Sequence, residues 1–332
     1  MSSIYKLTIK QNSGLLTELQ SDTVFGHFCW RMKEISGEEK LVKFLQYFKE
    51  SNPIFTISNS LFEREDRIYF PNPLSPQKSE LNPKSKKEKI VSFLNYKKSK
   101  DKKYISIDEL NKFLNGEHNY IDESINDKNE IPKYKEDLRT SVEISRVTFS
   151  NRKSQLFSYA PFYIDEILID PKKQIYSDTK TILLIKVINE KMFVEFNCKE
   201  ILEEVFNIGF GKKKSSGYGE FKYISFEKFE GFNEPEVSNG FISLSNYIPS
   251  MTDELTNYFY DFIVKYGKLG EELSLSINPF KKPIVLFTPG SIFFPKEQKD
   301  FYGRCTSQNE ISESFPVAIQ NGFCFSLRAK LN

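Results

Sequence analysis

Two stretches of β-α-β character, set on either side of a polar middle, constrain the fold more than anything else in this chain. IYKLTIK (4–10) alternates as a strand does, with Tyr5, Leu7 and Ile9 on one face. In SDTVFGHFCWRMKEI, Ser21 or Asp22 can cap a helix whose inner side carries Val24, Phe25, Phe28, Cys29 and Met32. A second amphipathic helix, with Leu41, Phe44, Leu45 and Phe48 on one side, leads to a strand at PIFTIS (53–58). Further on, TILLIKVI (181–188) reads as a buried strand and MFVEF (192–196) as a short one. KEILEEVF (199–206) follows as a helix with Ile201, Leu202, Val205 and Phe206 inward, and EFKYISF as a closing strand. Taken in order these elements predict an α+β, ferredoxin-like unit: four antiparallel strands with two helices on one face.

The middle, about 72–138, reads as a large insertion. Between Leu81 and Lys103 it holds nine lysines against Glu88 and Asp101, the pattern of a solvated basic loop that can also attract phosphates. Over 139–160, SVEISRVTF and QLFSYAPFYI alternate like the arms of a hairpin with SNRK at its tip, and Arg139, Arg146, Arg152 and Lys153 lie along it. A Gly/Asn/Pro-bearing linker, GFNEPEVSNG, precedes a second unit. There FISLSNYI (241–248) is a strand, and Ser250 with Asp253 makes a capping box. Leu255, Tyr258, Phe259, Phe262, Ile263 and Tyr266 then fall on one helical face, and LSLSI, PIVLF and GFCFSLRAKL supply more strands. The expectation is two ferredoxin-like (RRM-like) domains in tandem, 1–236 and 237–332.

Charge and composition exclude several classes. Lys and Arg number 47 against 45 Asp and Glu, so the chain is no uniformly basic nucleic-acid coat. No run approaches the roughly 20 apolar residues of a spanning helix, and the start lacks a signal peptide's apolar core. Four scattered cysteines without a CxxC pair, and two histidines, exclude a zinc ribbon and argue for a reducing cytoplasm. Phe (31) and Tyr (17) are abundant; these rings build strands and cores and also stack on bases.

NIGFGKKKSSGYGEF is the segment with most chemistry. Gly209, Gly211, Gly217 and Gly219 bracket Lys212, Lys213, Lys214, Ser215 and Ser216, so backbone N–H groups, ammonium groups and hydroxyls can gather at a phosphate. The loop follows a helix and precedes a strand, the reverse of a Walker loop or a dinucleotide fingerprint. His27 lies off the apolar stripe of the first helix and is open to three roles: general base, RNA contact or structural side chain. His118, in NGEHNYID, reads as a loop residue. No GxSxG, DxD or HD element is present. With no metal or cofactor site visible, that inventory points to a binding protein rather than an enzyme.

Three motifs together resemble one family. SDTVFGHFCW with PNPLSP (71–76), then GFGKKKSSGYGEF, then KKPIVLFTPGSIF with Gly290, Ser291 and Phe293, are similar in order and spacing to the RAMP proteins of type III-A CRISPR effectors. Within these the likeness is to the fourth Csm subunit, which holds the 5′ tag of the crRNA. The resemblance implies tag contacts from Ser21, Asp22, His27 and Arg31, and a phosphate grip from 209–219. It makes the hairpin a thumb wedged between crRNA and target RNA, with Arg146, Arg152, Lys153 and Phe157 as its contacts; Arg139, at the start of the hairpin, is a further candidate RNA contact. The family's isoleucine–aspartate–arginine triplet is Ile144-Ser145-Arg146 here, so any salt bridge of that aspartate is absent.

The resemblance further implies a noncatalytic subunit that needs no cofactor. Its partners would be crRNA, the large polymerase- and nuclease-bearing subunit and the backbone RAMP subunit, with target RNA met indirectly and no membrane. Two rivals stand beside it: a metal-independent crRNA-processing endoribonuclease with His27 as base, and a protein-interaction scaffold with no RNA role.

Overall fold

The computed structural model describes residues 3–74, 102–117, 134–145, 147–148, 150–164, 179–270, 273, 278–306 and 309–331. Most of the lysine-rich run and His118 lie outside these residues, as do Arg146 and most of the LSLSI segment.

In chain order the first elements are β1 (Ile4–Gln11), α1 (Ser21–Ser36), α2 (Glu38–Lys49), β2 (Phe55–Ile57), β3 (Leu61–Arg64) and β4 (Arg67–Pro71). The insertion contributes β5 (Tyr104–Ile105), α3 (Ile107–Leu114) and β6 (Tyr134–Glu136). Next come β7 (Arg139–Ile144), β8 (Asn151–Tyr159), β9 (Phe162–Ile164), β10 (Lys180–Val187), α4 (Glu190–Glu195), α5 (Cys198–Glu204) and β11 (Phe221–Lys228). The chain finishes with β12 (Gly240–Ser243), β13 (Leu255–Phe259), β14 (Phe262–Lys265), β15 (Ile284–Phe287), β16 (Ile292–Pro295) and β17 (Ser326–Ala329).

The first sheet runs β11-β1-β10-β3-β4-β5, with β2 also paired to β10, and every named pairing is antiparallel. Counting β2 and β3 as one interrupted strand, the order is fourth-first-third-second. β10 is buried on both faces, and its alternation sorts two cores. Leu183 and Ile185 face the helices, packing with Leu7, Ile9, Phe25, Phe28, Phe44 and Phe48. Ile182 and Leu184 face the other way and meet Ile242, Ile292 and Leu327 of the second sheet. The two sheets therefore share a core and cannot unfold independently without exposing it.

α3 fills the edge of that shared core with Leu110, Phe113 and Leu114. It begins at a full capping box: Ser106 Oγ accepts from Glu109 N (3.2 Å), and Ser106 N donates to Glu109 Oε2 (2.9 Å). Ser106→Ala is expected to cost about 1 kcal/mol, read as a lower urea midpoint at unchanged slope. A midpoint that does not move would show the cap to be without weight.

The second sheet, read from its other edge, runs β17-β12-β16-β13, again fourth-first-third-second. Its connections differ from expectation. The apolar periodicity of 255–266 predicts a helix, but the chain there forms β13 and β14, and among the described residues no α-helix follows α5. Thr256, Tyr258, Phe262, Ile263 and Val264 are strand formers, and pairing with β16 and β15 decides the matter. The capping box at Ser250 and Asp253 is present, but it heads a single 3₁₀ turn. MFVEF is likewise corrected, from strand to α4, where Asn189 Oδ1 accepts from Met192 N (3.1 Å).

Ser21 and Asp22 do not cap α1 through their side chains; Gln20 holds the cap position. Instead they are buried against the second sheet. Ser21 Oγ accepts from Asn246 N (3.1 Å), and Asp22 accepts from Asn246 Nδ2 (2.9 Å), Lys265 Nζ (2.5 Å) and Gln320 Nε2. No described helix is long and apolar enough to cross a membrane.

Candidate nucleic-acid interface

The glycine-rich loop links α5 to β11, and the backbone shows why glycine is needed. Gly209, Gly211, Gly217 and Gly219 all have φ between 73° and 83°. A Cβ on Gly219 would stand 1.9 Å from the Phe210 carbonyl oxygen, and one on Gly211 would stand 2.5 Å from Thr17 Cβ. The loop is folded back on itself and pinned. Phe210 N donates to Gly219 O (2.8 Å), Gly219 N to Gly14 O (2.9 Å), Gly211 N to His27 Nε2 (3.3 Å) and Lys212 N to Thr17 Oγ1 (3.0 Å). Ser216, Gly217 and Tyr218 donate to carbonyls of Lys213 and Lys214 around a 3₁₀ turn at Lys214–Ser216. Seven loop N–H groups are thus spent inside the protein, and the loop presents side chains more than bare backbone. Lys212, Ser215 and Ser216 are exposed, Lys214 half-buried.

Lys213 is the exception to the glycine pattern: it sits at φ 57°, a region that costs a lysine about 1–2 kcal/mol. Its carbonyl accepts from Ser216 and Tyr218. Its ammonium lies 3.3 Å from the centre of the Tyr159 ring and 5.2 Å from that of Phe157. Both rings belong to β8, so this one side chain ties the loop to the β7–β8 hairpin by a cation–π contact.

A second tie runs beside it. Arg139 at the start of β7 donates to Asp137 Oδ2 (2.7 Å), Tyr218 Oη (3.1 Å) and Tyr163 Oη (3.4 Å), and its guanidinium lies over the Tyr218 ring. The Asp137 carboxylate holds Arg139 firmly protonated. The Tyr159 and Tyr218 hydroxyls are 3.3 Å apart. The Tyr159 hydroxyl is held below its ordinary range by that hydrogen bond first, then by Ser141 and the Lys213 charge. Tyr218 is raised by the same bond and by burial. The result is a positively charged corner, Lys212 to Lys214 with Arg139, floored by tyrosines.

The hairpin is present, with a register of Arg139↔Tyr159, Ser141↔Phe157 and Val142↔Leu156. Its tip falls at 145–150 rather than at SNRK, so Arg152 and Lys153 are strand residues of β8; their side chains, like Arg146, lie outside the described residues. Of the first-helix residues, His27 reaches the loop: its ring is 4.4 Å from that of Phe210, and Nε2 accepts from Gly211. Arg31 is turned to Glu34 (2.9 Å) and Glu204 (3.1 Å), and Ser21 and Asp22 are buried in the junction with the second sheet. Tyr159, Tyr163 and Tyr218 went unmarked in the sequence. The signal available was strand alternation, which puts Tyr159 on the same face as Phe157. Among the described residues no three His, Cys, Asp or Glu side chains gather as a metal site.

The fold defines a class: a mixed α+β chain that shares its fold with chains of type III-A Csm complexes. The likeness covers nearly the whole chain. It superposes with a TM-score of 0.63 at 16% identity on a chain of the Csm3–Csm4 subcomplex of the type III-A CRISPR-Cas interference complex, over 99% of each. A chain of the Csm1–Csm4 cassette in complex with pppApA matches with a TM-score of 0.59 at 15% identity, over 99% of this chain and 98% of that one. The same cassette with AMPPNP gives equal values. Csm4 is the component these structures have in common. No family model and no curated protein matches the sequence.

Proposed function

We propose that this protein is a noncatalytic RNA-binding subunit of a type III-A CRISPR effector that holds the 5′ tag of crRNA. One observation carries the reading: the lysine-bearing loop and the hairpin, far apart in sequence, meet through Lys213 and Arg139 in a basic, aromatic corner. Cations with accessible rings are what unpaired RNA binds, phosphates to the first and bases to the second. On this reading 1–236 and 237–332 are two ferredoxin-like RAMP domains, the second with helices replaced by strands, and β7–β8 is the thumb. Partners follow from the complexes with the same fold: a large subunit such as Csm1, anchored here, and a backbone subunit such as Csm3, with target RNA reached through the assembly in the cytoplasm. Val142, Ile144 and Leu156 on the hairpin, and Tyr258, Phe262 and Tyr266 on the second sheet side, are exposed apolar surface that such an assembly would cover.

The nuclease reading is disfavoured by one contact. His27 Nε2 accepts from Gly211 N, so the nitrogen that would take a proton from a 2′-hydroxyl is already engaged. The test is incubation of the full chain with labelled repeat RNA carrying the tag, without divalent metal, on native and denaturing gels. Salt-sensitive binding with intact RNA, for both the natural chain and His27→Ala, is expected. A single specific cut that His27→Ala abolishes would make this a processing nuclease.

A further inference from the structure

Phe157 and Tyr159 stand two residues apart on one face of β8, with ring centres 6.3 Å apart and planes within 29° of parallel. Same-face neighbours on a strand are spaced by about 6.8 Å, twice the rise per residue. A base stacked in nucleic acid keeps about 3.4 Å to each neighbour, so two rings that hold one base between them stand about 6.8 Å apart, and this pair comes close to that spacing without a base. The slot is not closed over: Phe157 is 45% exposed. Alongside it on β7, Ser141 is paired with Phe157 and Arg139 with Tyr159. What stands at it is the Lys213 ammonium, 3.3 Å from one ring centre and 5.2 Å from the other.

From this we infer that the Phe157–Tyr159 slot is a binding site for a single unpaired nucleobase, and that Lys213 is its placeholder in the RNA-free protein. This rests on the RNA-binding reading above and names a subsite within it. The cation–π contact of a surface lysine is weak, whereas a base stacked on an aromatic side chain contributes several times as much. Exchange of one for the other is therefore downhill. The displaced ammonium does not lose its electrostatics, because the entering nucleotide brings a phosphate with it. Lys213, in its left-handed conformation at the turn, is placed to follow that phosphate, while Arg139 is held in place by Asp137 and two tyrosine hydroxyls.

The test uses the full chain and short single-stranded RNAs carrying 2-aminopurine at successive positions, whose fluorescence falls when the base stacks on a ring. One position is expected to be quenched on binding. Tyr159→Leu and Phe157→Leu should remove that quench and weaken binding by between about 5- and 160-fold, the stacking range expressed as a ratio. Tyr159→Phe keeps the ring and should keep the quench. Lys213→Met should retain the quench while the salt slope falls by about 0.7, one phosphate contact on a single strand. RNA that does not bind at all overturns the RNA-binding reading and the slot with it. RNA that binds with no quenched position, or with a quench that Tyr159→Leu leaves in place, overturns the slot alone. So does a Tyr159→Leu chain that binds RNA normally but fails to join a partner subunit, since the slot would then hold a protein side chain.

Discussion

Asp22→Ala is expected to destabilise the protein by about 3 kcal/mol. The carboxylate is fully buried at the start of α1, with side-chain exposure of 0% against 24% for its partner Lys265. Three donors converge on it: the Lys265 ammonium, the Gln320 amide and the Asn246 amide. Removing one member of a buried ion pair costs about 3–5 kcal/mol because a charge is left without compensation. The lower end applies here, since Lys265 is partly solvated and keeps Gln20 Oε1 (2.8 Å) and Thr23 Oγ1 (2.7 Å) as acceptors. Asp22→Asn should lose less, because its carbonyl oxygen can still accept from one of the two amides. The change would be read in urea through Trp30, the single tryptophan, which packs against Gly270 close to this junction. A loss below about 1 kcal/mol would mean that the pair contributes no more than a surface salt bridge does.

That same network shows where sequence reading stopped. Asp22 was legible as a helix-start residue because Ser-Asp-Thr before an apolar stripe is a capping pattern. Nothing in the spacing shows that its partners lie at 246, 265 and 320, since such contacts are set by how the second sheet docks on the first. The main elements of the first sheet were legible for physical reasons: IYKLTIK in β1 and EFKYISF in β11 alternate, TILLIKVI in β10 is the continuous apolar run of a strand buried on both faces, and the helices between them have one apolar side. β13 and β14 were not, because apolar residues on both faces of two short strands mimic helical spacing when read end to end. Leu255, Phe259 and Ile263 are half-buried, while Tyr258, Phe262 and Tyr266 point outward. The enrichment of TNYFYDFIVKY in aromatic and β-branched residues was the contrary signal.

The site was legible in its parts but not in its assembly. The glycine-rich loop and the hairpin were each marked by local pattern, yet Lys213 and Tyr159 are 54 positions apart, and only the sheet brings them together. The loop's glycines also serve differently from the expectation of an open backbone cradle. They permit a tight, self-bonded turn whose N–H groups are already occupied, and the lysine and tyrosine side chains are what remain to meet a ligand. The segment between β1 and α1, through Gly14 and Thr17, and α1 through His27, supply the anchors.

If the lysines are the phosphate contacts, replacing Lys212, Lys213 and Lys214 with alanine should weaken RNA binding without regard to sequence. It should also flatten the salt dependence. Each phosphate neutralised on a single strand contributes about 0.7 to the slope of log K against log salt, so three contacts remove about 2. The affinity gap between natural and substituted chains is then large at low salt and closes as salt rises, because released counterions supply the free energy. The loop's fold does not depend on these ammonium groups: it is set by backbone bonds to Gly14, Thr17 and His27 and by the positive φ of its glycines. The triple variant should therefore unfold at nearly the same urea concentration as the natural chain, apart from the Lys213 cation–π contribution of about 1 kcal/mol. Fluorescence anisotropy of labelled RNA at several salt concentrations measures the slope directly. An unchanged slope would remove the loop from the RNA site, whatever happened to the affinity. A slope reduced by about 2 with stability kept would show that these three side chains act on RNA rather than on the fold.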